Sequence, residues 1–121
     1  MNEEKKPLTI LLLEDEEDVR FMMSEMLEFM DYEVDIANNA EEAISLSKRK
    51  QYDYYLIDIV MEGKSGLDAL REMPINDVKN SVVIVSANIN TGNLEIAQSL
   101  GVTKILPKPI KINDLERMLK K

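Results

Sequence analysis

Five short strand-like segments alternate along the chain with stretches in which apolar residues recur every three or four positions. The strand-like segments are residues 8–13, 33–37, 54–58, 81–86 and 104–106. The first, third and fourth are nearly continuous apolar or aromatic runs, which is typical of strands buried on both faces of a parallel sheet. The second alternates between charged and apolar residues, which predicts a half-exposed or edge strand.

The stretches between these segments have helical spacing. The first helix is predicted to run to about residue 30, with its inner face formed by Val19, Met22, Met23, Met26, Leu27 and Met30. We interpret its four methionines as core residues rather than as a binding surface, because flexible thioether side chains fill core gaps. Four further helices are predicted at residues 39–50, 66–73, 91–100 and 112–121.

The alternation of strands with helices predicts an α/β fold with a doubly wound, five-stranded parallel sheet. Right-handed crossovers between parallel strands restrict the topologies that this order allows. A chain of 121 residues suits one domain. We expect residues 1–7 to form an N-terminal tail and residues 8–121 to form the single domain.

Composition excludes several classes of function. The chain has no cysteine and no histidine, which removes thiolate and imidazole metal ligands and the commonest general base. Its net charge of −8 disfavours direct binding to nucleic acid or to an anionic membrane and favours cationic partners or a divalent metal. We find no apolar run of membrane-spanning length and no signal peptide, so we expect a cytoplasmic protein.

Polar residues stand at the carboxyl ends of four predicted strands. Glu14 and Asp15 follow the first strand, Asp58 ends the third, Ser86 ends the fourth and Lys108 follows the last. Because a parallel sheet brings the carboxyl ends of its strands to one edge, where ligands bind, we expect these side chains to lie together.

The chemistry of this set points to phosphoryl transfer. Three crowded carboxylates disfavour one another's ionisation unless a cation is present, and one or two carboxylates with water and a phosphate group are typical Mg²⁺ ligands. An aspartate can accept a phosphoryl group as an acyl phosphate, while metal and lysine neutralise the developing charge. Ordinary roles remain open for each residue alone: capping or turn formation for the acids, and a backbone hydrogen bond for the serine.

The chain resembles the receiver domain of two-component response regulators, including the chemotaxis regulators, over essentially its full length. The residues that carry this resemblance are Ile10–Glu16, Leu56–Gly66, Val83–Ala87 and Ile105–Pro109. The resemblance implies a flavodoxin-like (βα)5 fold with strand order 2-1-3-4-5. It makes residues 8–121 a single receiver domain.

The resemblance also implies a metal site. Asp58 is the expected phosphoacceptor, and Glu14 and Asp15 are the expected acidic pair. Asp15 and Asp58 would bind Mg²⁺ directly, with Mn²⁺ as an alternative ion, and Glu14 would act through water. The backbone carbonyl of Val60 would be a further ligand.

Two more residues receive roles from the resemblance. Ser86 would contact the phosphoryl group and move the loop that follows it, and Lys108 would pair with the acid or with the phosphoryl group. The Lys108–Pro109 bond is often cis in the family, as proline allows. The chain departs from the family's usual pattern at Glu62, where proline is common, and at Ile105, where an aromatic residue is typical.

These expectations describe a regulatory phosphoacceptor rather than an enzyme. A sensor histidine kinase or a histidine phosphotransfer protein of a bacterial two-component system or phosphorelay would phosphorylate Asp58. The change would alter the face formed by residues 91–121 and thereby the binding of a downstream protein or of an output domain. The chain would be either a stand-alone receiver or a piece of a longer regulator, with no direct nucleic-acid or membrane partner.

Three alternatives belong to other classes. A Mg²⁺-dependent phosphatase with an aspartyl nucleophile would carry an Asp-x-Asp pattern, and Val60 stands at the second acidic position. A flavodoxin-like cofactor binder needs a first loop that cradles phosphate, whereas the acids from Glu14 to Glu16 repel it. A degenerate receiver that serves only as an interaction module is disfavoured by the complete set of acids, serine and lysine.

Overall fold

A computed structural model describes residues 6–61 and 63–119 of the chain. Within these ranges, five strands alternate with six helices. The strands are β1 (Thr9–Leu13), β2 (Glu33–Ala37), β3 (Tyr54–Asp58), β4 (Val82–Ser86) and β5 (Lys104–Pro107). The helices are α1 (Glu17–Phe29), α2 (Ala40–Arg49), α3 (Gly66–Glu72), α4 (Val78–Ser81), α5 (Thr91–Ser99) and α6 (Ile112–Met118).

The strands form one parallel sheet in the order β2-β1-β3-β4-β5. The expected α/β class, the doubly wound parallel sheet and the strand order are therefore confirmed, and β2 is an edge strand as its alternating sequence predicted. In the register of the sheet, Leu13 pairs with Ile57, Asp58 with Val85, and Ser86 with Pro107. This register brings the polar residues at the strand ends to one edge.

Each face of the sheet has its own core, because successive residues of a strand point to opposite faces. On one face, Leu11 and Ile57 belong to a cluster that includes residues of α2, α3 and α5. On the other face, Leu12 and Leu56 belong to a cluster that includes residues of α1 and α6. The central strands are buried on both sides, which explains their nearly continuous apolar sequences.

Local details differ from the sequence-based expectations. The four-residue helix α4 was not predicted, and it includes Ser81, which we had assigned to the fourth strand. Asp77 caps this helix by accepting a hydrogen bond from the Asn80 N–H. Helix α5 is capped by Asn90, which precedes its first residue, Thr91. Several polar residues stand beside each apolar segment, and the apolar pattern alone does not show which of them caps the helix.

The methionines of α1 do not all lie in the core. The exposed fraction is 1% for Met23 but 44% for Met22, and Phe21 and Phe29 are also exposed, at 66% and 80%. The interpretation of Met22 as a core residue is therefore wrong. Helical spacing places Met22 at the border of the inner face, and the structure turns that border toward solvent.

Some expectations concern residues outside the described ranges. These are most of the predicted tail at residues 1–7, the departure at Glu62 and the last two residues of the predicted closing helix. The boundary between a tail at residues 1–7 and a domain at 8–121 remains a prediction. Within the described ranges, no helix combines the length and the apolar character needed to cross a membrane.

Gly66 allows helix α3 to begin directly against the end of β3. A Cβ atom at Gly66 would lie 2.0 Å from the backbone oxygen of Asp58 and 2.8 Å from Cγ2 of Ile57. The backbone oxygen cannot move aside as a flexible side chain could. The absence of a side chain at Gly66 thus sets the position of Asp58 relative to α3.

We predict that Gly66→Ala lowers the free energy of unfolding by about 3 kcal/mol, because the added methyl group overpacks a rigid backbone contact. Gly92→Ala is the matched control, since its Cβ would meet only Asn90 Oδ1 at 3.4 Å. The control should change stability by no more than about 1 kcal/mol, with alanine favoured in a helix. Urea denaturation of both variants measures the difference in the free energy of unfolding. Equal stabilities would show that the backbone at Gly66 and Asp58 shifts to accommodate the methyl group.

Candidate active site at the carboxyl edge of the sheet

Three carboxylates meet where β1 and β3 end. One oxygen atom from each of Glu14, Asp15 and Asp58 lies within 4.8 Å of the others. The side chain of Glu14 is fully buried and that of Asp58 is 3% exposed, whereas Asp15 is half-buried. The pairing of β1 with β3 places these residues at adjacent strand ends, as the strand order implied by the resemblance requires.

Lys108 supplies the cation of the site. Its Nζ donates to Glu14 Oε1 at 2.8 Å and to Asp58 Oδ2 at 3.0 Å. The residue follows β5, and its backbone N–H donates to the Ser86 carbonyl at 2.9 Å, which continues the pairing of β5 with β4. The Lys108–Pro109 peptide bond is cis, as the resemblance implied.

Burial, hydrogen bonds and neighbouring charges together shift the pKa values of Glu14 and Lys108. Burial raises the pKa of Glu14, and the charge of Asp58 raises it further, against hydrogen bonds from Lys108 and from the Glu16 N–H. Burial also lowers the pKa of Lys108, but its hydrogen bonds to Glu14 and Asp58 outweigh that effect and raise the pKa overall. The site therefore retains the ammonium form of Lys108 while it disfavours additional negative charge.

The donor set fits a hard divalent cation. Three carboxylates face one ammonium group, so two formal negative charges remain, which one divalent ion would neutralise. Carboxylate oxygens are the ligands that Mg²⁺ prefers, and the chain contains no histidine or cysteine for softer metals. Glu14, Asp15 and Asp58 are thus the residues that could hold the ion.

The backbone of Val60 lies beside the acidic cluster. Its N–H donates to Asp58 Oδ1 at 3.1 Å, so the loop after β3 folds back onto the carboxylate. Each oxygen of Asp58 therefore has a hydrogen-bond donor: Val60 at Oδ1 and Lys108 at Oδ2. The role of the Val60 carbonyl as a metal ligand remains a prediction.

Ser86 is fully buried at the end of β4. Its hydroxyl accepts a hydrogen bond from the Asn88 N–H at 3.0 Å and lies 3.3 Å from the Asn88 carbonyl, to which it donates. The hydroxyl is thus engaged with its own loop. Val85, the residue before Ser86, pairs with Asp58, which places Ser86 beyond that pair at the same edge.

An apolar cavity of about 280 Å³ adjoins Lys108. It lies between α1 and the segment after β5, and its lining includes Val19, Met22, Pro109 and Ile110. Exposed Met22 therefore borders the same edge of the sheet as the acidic cluster. The helical spacing of α1 predicts a core position for Met22 and therefore does not reveal this surface.

Sequence reasoning also missed Arg20 and Gly66. The Nη1 atom of Arg20 donates to the backbone oxygens of Glu14 and Asp15 at 3.2 and 3.3 Å. A sequence signal was available, because Arg20 is the single basic residue of α1 and stands near its acidic beginning. Nothing in the apolar pattern indicates that Gly66 touches Asp58.

The chain as a whole is similar to proteins of a described family. The family model for the response regulator receiver domain matches residues 10–120. The transcriptional regulatory protein PdtaR of Mycobacterium tuberculosis is 31% identical over 110 residues, which is 90% of this chain and 53% of that protein. The transcriptional regulatory protein YkoG of Bacillus subtilis is 28% identical over 106 residues, which is 88% of this chain and 46% of that protein.

This chain thus spans about half the length of these two curated relatives. Among solved structures, the receiver domain of the sensor histidine kinase PA1611 from Pseudomonas aeruginosa is 26% identical. The similarity covers 94% of this chain and 95% of that one, with a TM-score of 0.79. That structure has a magnesium ion coordinated in its active site cleft.

We predict that Lys108→Met lowers the free energy of unfolding in metal-free buffer by about 3 kcal/mol, because it leaves two buried carboxylates without their cation. Added Mg²⁺ should restore part of the loss if the ion binds the folded state. Urea denaturation with EDTA and with Mg²⁺ measures both effects.

Lys64→Met is the matched control for this prediction. Lys64 pairs with Glu72 at the surface, and an exposed ion pair contributes little to stability. The control should therefore unfold close to the wild-type midpoint under both conditions. A Lys108→Met protein as stable as the control would show that Glu14 and Asp58 tolerate each other without the ammonium group.

Proposed function

Because this chain belongs to the family of response regulator receiver domains, we propose that it is a phosphorylatable signalling switch whose phosphoacceptor is Asp58. Receiver domains are regulatory domains of two-component signalling. The observation that most directly supports the assignment is the contact of Lys108 with both Glu14 and Asp58, with Asp15 in the same cluster. We propose that the chain accepts a phosphoryl group and does not turn over a substrate.

The proposed reaction transfers a phosphoryl group from a phosphohistidine. A carboxylate oxygen of Asp58 forms a bond to phosphorus while the P–N bond of the donor breaks, and the imidazole leaves with the electron pair of that bond. Lys108, which contacts Asp58 Oδ2, would pair with the negative charge of the transferred group. A Mg²⁺ ion, held by Glu14, Asp15 and Asp58 with the Val60 carbonyl, would supply charge neutralisation for the phosphoryl oxygens.

Ser86 would couple phosphorylation of Asp58 to the rest of the domain. Its hydroxyl is satisfied by Asn88, so a new hydrogen bond to a phosphoryl oxygen would replace its donation to the Asn88 carbonyl. We propose that this exchange shifts the loop at residues 87–90 and, through it, the face of residues 91–121. A preference of Ser86 for one of two partners is the differential interaction that a population shift requires.

Receiver domains interact with histidine kinases or histidine phosphotransfer proteins, and we propose such a protein as the donor here. Exposed Met22, with the apolar cavity that it lines beside Lys108, offers apolar contact area next to that lysine. The downstream partner would be another protein or an output domain. We propose a cytoplasmic setting and no direct nucleic-acid or membrane contact, consistent with the charge of −8.

The test is the intact mass of the protein after incubation with acetyl phosphate and Mg²⁺. We predict a gain of one phosphoryl group that requires both Asp58 and the metal, since the carboxylate is the acceptor and the ion neutralises the transferred charge. Asp58→Asn and an EDTA-treated sample should show no gain. Asp68→Asn, which changes an exposed carboxylate of α3, is the matched control and should be phosphorylated normally.

A gain that persists in Asp58→Asn would contradict the assignment of the acceptor. If acetyl phosphate gives no gain, the same assay is repeated with a phosphorylated histidine phosphotransfer protein as donor. Failure with both donors, together with no Mg²⁺-dependent change in the amide spectrum of Glu14, Asp15 or Asp58, would favour a degenerate receiver that acts only through protein contacts.

A further inference from the structure

Arg20 connects helix α1 to the acidic loop that follows β1. Its Nη1 atom lies 3.2 Å from the Glu14 backbone oxygen and 3.3 Å from the Asp15 backbone oxygen, and it donates to both. The two carbonyls belong to the residues whose side chains enter the carboxylate cluster. Arg20 therefore holds the backbone of the acidic pair.

The helix dipole disfavours a cation at the position of Arg20, although acidic residues precede it in the first turn. Arg20 is the fourth residue of α1, and its backbone N–H makes a hydrogen bond of 2.8 Å to the Glu16 carbonyl in the first turn. A cation near the N-terminus of a helix is repelled by the helix dipole. A divalent ion bound by Glu14 and Asp15 would also repel it. The contact with two carbonyls offsets these costs, and so do the acidic residues of the first turn.

The loop between β1 and α1 leaves the sheet at this point. The Glu14 N–H still donates to the Ala37 carbonyl of β2 at 3.2 Å. Beyond it, the Glu16 N–H donates to Glu14 Oε2 at 3.1 Å, which is a bond to a side chain of the cluster. The hydrogen bonds from Arg20 thus restrain the backbone carbonyls of Glu14 and Asp15. These two bonds occupy no carboxylate oxygen that a metal would need.

We propose that Arg20 is a positioning residue for the metal centre. Its guanidinium group fixes the peptide units of Glu14 and Asp15 so that the Asp15 carboxylate faces Asp58 before the ion arrives. This inference rests on the proposed function, because it concerns the same divalent site. It assigns a role to a residue that contacts neither the ion nor the phosphoryl group.

The role of Arg20 can be separated from its charge, because the two effects have opposite signs. If Arg20 acted only through its charge, Arg20→Met would remove a repulsion and strengthen divalent binding. If Arg20 acts by holding the loop, the same change weakens binding, because the acidic pair must then be ordered by the ion. The loss of a group that supports metal ligands typically reduces affinity by a factor of about 10 to 100.

The experiment measures Mn²⁺ binding to the full chain by electron paramagnetic resonance, with Mg²⁺ competition to give both affinities. We expect the dissociation constant of Arg20→Met to be about tenfold higher than that of the wild type. Lys64→Met removes the same charge from a surface ion pair with Glu72 and should bind as the wild type does. Arg20→Lys keeps the charge with a shorter donor and should fall between wild type and Arg20→Met.

Hydrogen–deuterium exchange in metal-free buffer gives a second readout. Faster exchange confined to the amides of residues 14–17 in Arg20→Met supports the loop-holding role. Unchanged exchange there, or Mn²⁺ affinity equal to or higher than that of Lys64→Met, overturns the proposal. If Arg20→Met does not fold, Arg20→Lys decides: weaker binding supports the role, and wild-type affinity overturns it.

The outcomes also separate this inference from the proposed function. Wild-type protein that binds neither Mn²⁺ nor Mg²⁺ would contradict the metal site itself. Wild-type protein that binds the ions, with Arg20→Met unaffected, would contradict only the role of Arg20.

Discussion

The contact of one ammonium group with two buried carboxylates is the constraint on which the site depends. Lys108 Nζ lies 2.8 Å from Glu14 and 3.0 Å from Asp58, although both acids are almost inaccessible to solvent. Leaving such carboxylates unpaired in a protein interior is costly. Because Lys108 comes from the chain after β5 and the acids from β1 and β3, the contact is possible only once the central sheet is assembled.

The acidic cluster carries more negative charge than Lys108 offsets. Lys108 offsets one negative charge of a cluster with three carboxylates, and burial raises the pKa of Glu14. A divalent ion would remove this residual repulsion, and a phosphoryl group would bring negative charge back. The charge of the site would therefore change when the ion binds and change again on phosphorylation, which is consistent with the switch that we propose.

Much of the architecture could be predicted because it follows from periodicity. The apolar runs of β1, β3 and β4 specify strands buried on both faces, and their alternation with helices specifies a parallel sheet. Glu14, Asp58 and Lys108 could then be placed together because parallel strands end at one edge. The strand order needed the resemblance as well, since apolar runs do not show which strands are neighbours.

The features that could not be predicted depend on geometry that apolar patterns do not encode. Met22 and Met23 are adjacent in sequence, yet the orientation of α1 against the sheet exposes one and buries the other. The need for glycine at position 66 becomes evident only when the helix start is seen against the Asp58 carbonyl. Asn90 and Thr91 are both acceptable caps, and only the backbone conformation selects Asn90.

Apolar packing joins the loop after Ser86 to α5 and β5. Ile89, in the loop after Ser86, lines a small apolar space together with Leu94 of α5 and Ile105 of β5. A shift of this loop would therefore change the packing against both elements at once. A branched aliphatic side chain at Ile105 has no ring to rotate between buried and exposed positions. If the proposed signal passes through this region, it would therefore be carried by the displacement of packed elements, because position 105 offers no aromatic rotamer.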